Sequence, residues 1–287
     1  DCVVYTSQAE TRPEQALQEL VAFLCAGTNV VATSMVWLVH PPHADAWLRE
    51  PLIEACAQGG TSMYVNGIDP GFSGDTLPLA ALTLCQSVQR VVVEEIFDYG
   101  SYDDAEFTGA SFGFGLAPED DPPMLFLPGV LASIWGGPVK LVADALGIEL
   151  DEIREHYEHW LATEPIDCTM MRVERGHVAA VRFGVEGIRG GRSVIAMEHI
   201  NRLTVASAPQ WPYPPDGRSG VHRVRITGSP GVEVNAHVGL DGVDHNEAGV
   251  IATAARVVNA IPAVVAARPG LLSLRDLPVA QAAGLLR

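Results

Sequence analysis

Lysine is almost absent from this sequence: of 18 basic side chains, one is Lys140 and the rest are arginines. Schiff-base chemistry therefore has little to draw on. Basic blocks are missing too. With 35 acidic against 18 basic residues and a formal charge of −17, the chain is poorly suited to nucleic-acid phosphates or an anionic membrane surface. No uninterrupted apolar run reaches the roughly 18–20 residues of a spanning helix, and no basic-then-apolar leader opens the sequence. Cysteine is sparse and odd in number. Cys2, Cys25, Cys56, Cys85 and Cys168 are widely spaced with no CxxC pair, which argues for free thiols in a reducing cytoplasm and against a disulfide framework or zinc knuckle. GxxxxGK[ST] and GxSxG are absent. So is a GxGxxG following a strand; Gly113-Phe114-Gly115 follows a loop and lacks the third glycine.

What remains is an ordinary globular composition, 48% hydrophobic and 18% charged, long enough at 287 residues for roughly two domains. The charge is uneven. Residues 1–150 carry four basic and 20 acidic side chains, net −16, and residues 151–287 carry 14 and 15, net −1. The two parts are expected to face different surroundings.

Asp1 to Ser7, DCVVYTS, reads as a buried strand ending in hydroxyl residues. Thr11-Arg-Pro-Glu14 has the pattern of a capping box with proline in the first turn, and Leu17, Leu20, Val21 and Leu24 continue at helical spacing. Gly27 ends that helix, NVVATS from Asn29 to Ser34 is a second strand, a helix runs from about Ala44 to Gln58, and Ser62 to Asn66 is a third strand. Strand and helix alternating on short connections predict a parallel, doubly wound sheet. In such sheets ligands bind beyond the carboxyl ends of the strands. Thr6-Ser7 and Thr33-Ser34 stand there, suited to a ribose or a nicotinamide amide, or equally to capping the next helices.

After the Gly/Pro-rich loop NGIDPGFSGD (66–75), the pattern predicts an apolar helix from Leu77 to Val88 and a strand from Arg90 to Tyr99. Gly100 to Pro123 is acidic, Gly/Pro-rich and expected to be a mobile, solvated loop. Helices are predicted over about Pro128–Leu146 and Asp151–Thr163, then antiparallel strands over Met170–Val173, Val178–Glu186, Ser193–Leu203, Val221–Thr227 and Val232–Val238. A long apolar helix covers Asn246 to Val265. On the helix predicted to follow Asp151, His156 and His159 would share a face near Glu152 and Glu155. This is a conceivable metal pair, though an amphipathic surface helix accounts for it better. Asp241, Asp244, His245 and Glu247 read as a loop and helix cap.

Two segments are more specific. NGIDPGFSGD, together with NAIPAVVAARPGLLSLRDLP from Asn259 to Pro278, resembles the NAD(P)-dependent oxidoreductases built like dihydrodipicolinate reductase. Within them the similarity is strongest to the 2,4-diaminopentanoate dehydrogenase branch, the native amine dehydrogenases. The resemblance runs along essentially the whole chain and starts at the fourth strand of that family's nucleotide-binding domain. It implies that the half carrying the glycine fingerprint, on the order of 70–80 residues, lies upstream of Asp1. The fold class it implies is α/β: a partial Rossmann-type doubly wound parallel sheet over residues 1–66, and an α+β substrate and dimerisation domain with a mostly antiparallel sheet over 67–245. A carboxyl-terminal helical segment, 246–287, would return to the Rossmann domain.

The resemblance further implies NADP or NAD as cofactor, Thr6 and Ser7 beside it, and Thr33 and Ser34 near the nicotinamide. Asp69, Gly71, Phe72 and Asn259 would close around the ring. Asn259 could also be a plain helix C-cap, and Gly71 a plain turn residue. One departure stands out. The amine-forming members carry a glutamate just after the strand matching NVVATS, and here that stretch reads Ser34-Met35-Val36-Trp37-Leu38. Met35, Val36 and Trp37 suggest a greasy substrate pocket or plain core packing. His40, with His43 close by, is a candidate proton donor or a plain loop residue. The expected activity is hydride transfer between a nicotinamide and a carbonyl or imine carbon of a small apolar substrate. The protein would act in the cytoplasm as a homodimer, without nucleic acid, membrane or metal. The alternative is a non-catalytic homologue that binds cofactor or ligand, and a metal-dependent hydrolase has only scattered His and Asp in its favour.

Overall fold

The computed structural model describes residues 1–240 and 242–284. Its elements, in chain order, begin with β1 (Cys2–Tyr5), α1 (Pro13–Cys25), β2 (Asn29–Ala32), α2 (Ala46–Gly59) and β3 (Ser62–Val65). Then come α3 (Thr76–Leu82), β4 (Ser87–Asp98), the single turn α4 (Ala110–Phe112), α5 (Val130–Leu146) and β5 (Glu152–Leu161). They are followed by β6 (Ile166–Asp167), β7 (Arg172–Val173), β8 (Val178–Arg189), β9 (Arg192–Arg202), β10 (Gly220–Ser229) and β11 (Val232–Ala236). Last are α6 (His245–Ala266) and β12 (Gly270–Leu272). Two compact units result: Asp1–Thr76 together with the residues from Ile251 on, and Leu77–Val250.

The first unit is a three-layer sandwich, the α/β arrangement its alternating pattern predicts. Its four-stranded sheet has the order β1-β2-β3-β12, with every pair parallel. Side chains alternate across it. Val30, Ala32, Met63 and Val65 point to α1 and α2, packing with Leu20, Leu24, Leu48 and Leu52. Val31, Tyr64 and Leu272 point the other way, to Val257, Ala260 and Val264 of α6. The helices α1 and α2 approach so closely that a Cβ on Gly59 would stand 1.8 Å from the Leu24 carbonyl oxygen.

The second unit is built on a six-stranded sheet of order β11-β10-β4-β9-β8-β5, in which β4 and β9 are parallel and all other neighbours antiparallel. One face lies under α5, where a Cβ on Gly187 would meet Val139 at 2.9 Å. The opposite face carries ion pairs: Glu158–Arg182 at 3.3 Å, Arg182–Glu198 at 3.0 Å, and Glu94 with Arg223 at 2.8 Å and Arg225 at 3.0 Å.

Several expectations are corrected here. Residues 152–161 form strand β5, not a helix, because full pairing with β8 outweighs a local pattern compatible with either state. His156 then lies opposite Gly184 and His159 opposite Val181, on opposite faces of the sheet, so they make no metal pair. The helix from Leu77 stops at Leu82, and β4 begins at Ser87. Strands β9 and β10 are not partners, since β4 lies between them. No capping box starts α1: its N-cap is Arg12, without a side-chain cap, and Pro13 opens the helix. Helix α6 is apolar enough, by length and composition, to cross a membrane, with a mean hydropathy of 1.7. Asn246, Glu247, Arg256 and Asn259 break the run without lowering that average much. Its Val257, Ala260 and Val264 pack on the sheet of the first unit.

In the 100–123 segment Asp103, Glu106, Glu119, Asp120 and Asp121 are exposed. Buried Phe114 and the stacking of Phe112 on Tyr99, 5.9 Å between rings, anchor the segment. Asp244 caps α6, accepting from the Asn246 and Glu247 amides; Asp241 of the same acidic cluster lies outside the described residues. All five cysteines are free.

Candidate active site at the carboxyl edge of the parallel sheet

Thr6, Thr33 and Asn66 follow β1, β2 and β3 in register. The Thr33 amide donates to the Tyr5 carbonyl at 3.2 Å and the Asn66 amide to the Ala32 carbonyl at 3.0 Å. The sheet ladder thus runs one rung past the strands and lines up one polar side chain from each strand on the edge where parallel sheets bind ligands. Thr6 and Ser7 are exposed and Thr33 is half-buried. Ser34 is buried, its hydroxyl donating to the Ser7 carbonyl. That bond ties the two strand ends together and sets the spacing of the edge.

Beyond Ser34 the chain turns sharply. Met35 adopts a left-handed backbone with φ 61°, uncommon for a residue with a side chain, and is wholly buried in the core with α1 and α2. Trp37 packs on the same cluster and Val36 is half-buried. Two of the three residues expected to line a substrate pocket therefore serve the core. His40 is 2% exposed between two short 3₁₀ turns, its ring 5.2 Å from that of His43.

The loop after β3 is held in a single shape by its own hydrogen bonds and by α6. The Phe72 amide donates to the Gly67 carbonyl at 2.9 Å and the Ser73 amide to the Ile68 carbonyl at 2.9 Å. Buried Ser73 donates its hydroxyl to Asp69 at 2.7 Å. Arg256, on α6, clamps the loop. Its guanidinium donates to Gly67 O at 3.3 Å, to Thr76 Oγ1 at 3.0 Å and to both oxygens of Asp75 at 3.2 Å, and lies 5.9 Å from the centre of the Phe72 ring. Burial pushes the Asp75 carboxyl up, against the pull of Arg256. Burial also pushes the Tyr64 phenol well up, so it stays neutral as a hydrogen-bond donor. Asn66 is 3% exposed; its Nδ2 donates to Arg256 O at 3.2 Å, while its Oδ1 has no hydrogen-bond partner among the described residues. Asn66, Asn259, Tyr64 and Arg256 line a small cavity of about 30 Å³. The structure thus brings Asp69, Gly71 and Phe72 into one clamped loop and sets Asn259 beside Asn66 at its root.

Sequence reasoning missed Asn66, Tyr64, Asp75 and Arg256. The signal was available for Asn66, which stands in the same position after β3 as the threonines after β1 and β2. It was not available for Arg256, which meets Asp75 across 181 residues.

At the β1 end, Arg12 donates to Tyr5 Oη at 3.0 Å, to Ser7 Oγ, and to Glu19 at 2.7 Å. The Arg12 hydrogen bond, with that of Tyr5, holds the Glu19 carboxyl down to about 2. A depressed acid contributes stability above its unfolded value and loses it as pH falls toward the folded one. In a carboxyl NMR titration the Glu19 midpoint is expected at about 2, and Arg12→Met should move it upward, only part of the way to the ordinary value of 4.5, because the Tyr5 and Gln15 hydrogen bonds remain. A Glu19 midpoint unmoved by the substitution would contradict this.

A family model described as the 2,4-diaminopentanoate dehydrogenase C-terminal domain matches residues 72–285. An amine dehydrogenase of Streptomyces virginiae is 36% identical over 285 residues, which cover 99% of this chain and 79% of that protein. A 2,4-diaminopentanoate dehydrogenase of Acetoanaerobium sticklandii is 25% identical over 289 residues, 98% of this chain and 75% of that protein. Among solved structures, an amine dehydrogenase from Mycobacterium smegmatis shares the fold, with a TM-score of 0.74 over 98% of this chain and 76% of its own, at 15% identity.

Proposed function

Because this chain belongs to the 2,4-diaminopentanoate dehydrogenase C-terminal domain family and is a dehydrogenase-type oxidoreductase, we propose that it exchanges hydride between a nicotinamide dinucleotide, NADP or NAD, and a carbonyl or imine carbon of a small apolar substrate. The observation that carries this reading is the carboxyl edge of the parallel sheet, with Thr6, Thr33 and Asn66 in one row beside a loop that Arg256 holds rigid. The residues suit such a cofactor. Exposed hydroxyls of Thr6 and Ser7 can bond a sugar. Asn66 Oδ1 is a buried acceptor with no donor among the described residues, and Gly67 and Gly71 present backbone without side chains.

When bound, the cofactor supplies the hydride acceptor or donor. The chain's own contribution is positioning. Thr33 and Ser34 would bracket the nicotinamide end, Asp69 to Phe72 would cover the ring, and Asn259 would stand at the base of that cover. The first unit is the cofactor unit in this reading. The second is the substrate and dimerisation unit, pairing two copies through its sheet.

The test is turnover. With NADP⁺ or NAD⁺ and a panel of primary alkylamines, the reduced cofactor should accumulate, and carbonyl compounds with ammonia should consume it. Calorimetry showing that neither dinucleotide binds would overturn the proposal.

A further inference from the structure

The second unit holds a cavity of about 1220 Å³ that no residue assigned to the cofactor site lines. It lies at the start of β4, the end of the strand away from Asp98, about 35 Å along. Its walls come from α3, the end of α5 and the β8–β9 hairpin. Leu79, Leu82, Val88, Leu146, Ile148 and Val194 give it a broad apolar side. The end of α5 presents side chains there and not bare carbonyls, because the Gly147 and Ile148 amides donate to Asp144 O at 3.2 Å and Ala143 O at 3.0 Å.

The charges on its lining have one sign. Arg90, Arg189 and Arg192 are among the lining residues and none of the described lining residues is a carboxylate, in a chain whose acids outnumber its bases by 35 to 18. The hairpin sets two of the three. Gly190 and Gly191, with φ 57° and 72°, make a two-residue turn of the kind that needs positive φ at both central positions. Arg189 and Arg192 are therefore direct cross-strand partners and share a face. Two residues on from Gly187, Arg189 stands on the face that meets α5. Like charges placed directly opposite repel, and neither guanidinium has an ion-pair partner among the described residues. Asp151 accepts from the Gly190 amide, at 2.6 Å. Arg90 is weakly engaged as well. Its Nη2 is 3.5 Å from Glu186 and 3.4 Å from Ser193 Oγ, and its buried Nε has no hydrogen-bond partner among the described residues.

Two facing guanidinium groups beside an apolar wall match a doubly charged anion that carries an apolar group. We propose that this cavity is a second ligand site, which takes a soluble phosphate monoester with an apolar organic part. The phosphate lies between Arg189 and Arg192, whose N–H forks bond its oxygens and whose mutual repulsion it cancels. The organic part lies along Leu82, Leu146 and Ile148. A monocarboxylate leaves one of the two charges unmatched. A phosphate headgroup in a membrane brings a chain of net charge −17 against an anionic surface. The site belongs to the second unit alone and does not depend on the hydride-transfer reading.

The test is calorimetric titration of the whole protein at about pH 8, where a phosphate monoester is a dianion. n-Hexyl phosphate should bind. Ethyl phosphate, which lacks most of the apolar part, and n-hexanoate, which lacks the second charge, should each bind at least about tenfold more weakly. Arg189 and Arg192 are exposed, so Arg189→Gln and Arg192→Gln should fold normally and leave the unliganded protein at least as stable, since each relieves the repulsion. Each should weaken hexyl phosphate about tenfold to a hundredfold. No binding of hexyl phosphate, equal binding of ethyl phosphate or hexanoate, or unaltered affinity in both variants would overturn the site. Binding to phosphatidic acid vesicles with none to the soluble ester would overturn it too, and would assign the arginines to a membrane surface.

Discussion

Replacing Arg256 with methionine is expected to cost about 3–5 kcal/mol of folding stability, because it strands a buried carboxylate. Asp75 is 1% exposed, and Arg256 is its cationic partner at 3.2 Å to both oxygens. The same substitution removes the donors to Gly67 O and Thr76 Oγ1 that fix the loop. Urea denaturation followed by circular dichroism would measure the loss. The sign of its pH dependence follows from Asp75. Burial already raises its carboxyl, and removing Arg256 takes away the main influence that lowers it. A group raised in the folded state contributes stability below its unfolded value and loses it as pH rises through the folded one. The deficit of Arg256→Met should therefore be larger at neutral pH than at acid pH. The double variant Arg256→Met with Asp75→Leu, which buries no charge, should recover much of the stability. A single variant as stable as the parent, or a double variant no better than the single, would show that the pair does not hold the loop.

Phe183→Ala should be of similar size, about 3–5 kcal/mol, and for a different reason. Phe183 is fully buried under α5, stacked on His199 at 4.7 Å with 6° between the ring planes. The rings of Phe112, Phe126 and Trp135 lie 5.3 to 5.4 Å away. Truncation opens a cavity that four rings on four separate segments cannot close together. Phe183→Leu, which refills most of the volume, should cost less than about 1.5 kcal/mol. Urea denaturation of the two variants separates volume from shape, and equal loss in both would contradict a packing origin.

Much of the first unit was legible in the sequence. CVVY, NVVA and SMYV are short β-branched or apolar runs, and the leucines between the first two recur at helical spacing, so each segment has one low-energy state before any partner is present. The hydroxyls and the amide just past those strands followed from the same argument, since the carboxyl edge of a parallel sheet is where they must stand. Residues 170–238 announced themselves by alternation and glycine turns.

Other features needed the tertiary structure. Glu152–Leu161 carries charges and histidines at spacings that suit a helix as well as a strand, and pairing with β8 decided between them. Strand β12, three residues long, exists because β3 offers it an edge. The Arg256 clamp joins residues 181 apart, and a His222–Glu95–His199 row joins three strands far apart in sequence. Local sequence determines backbone preference and the period of burial, because those depend on neighbours a few residues away. Which charges meet, and which acceptors are left inside without a donor, depends on register between distant strands, and only the folded chain decides that.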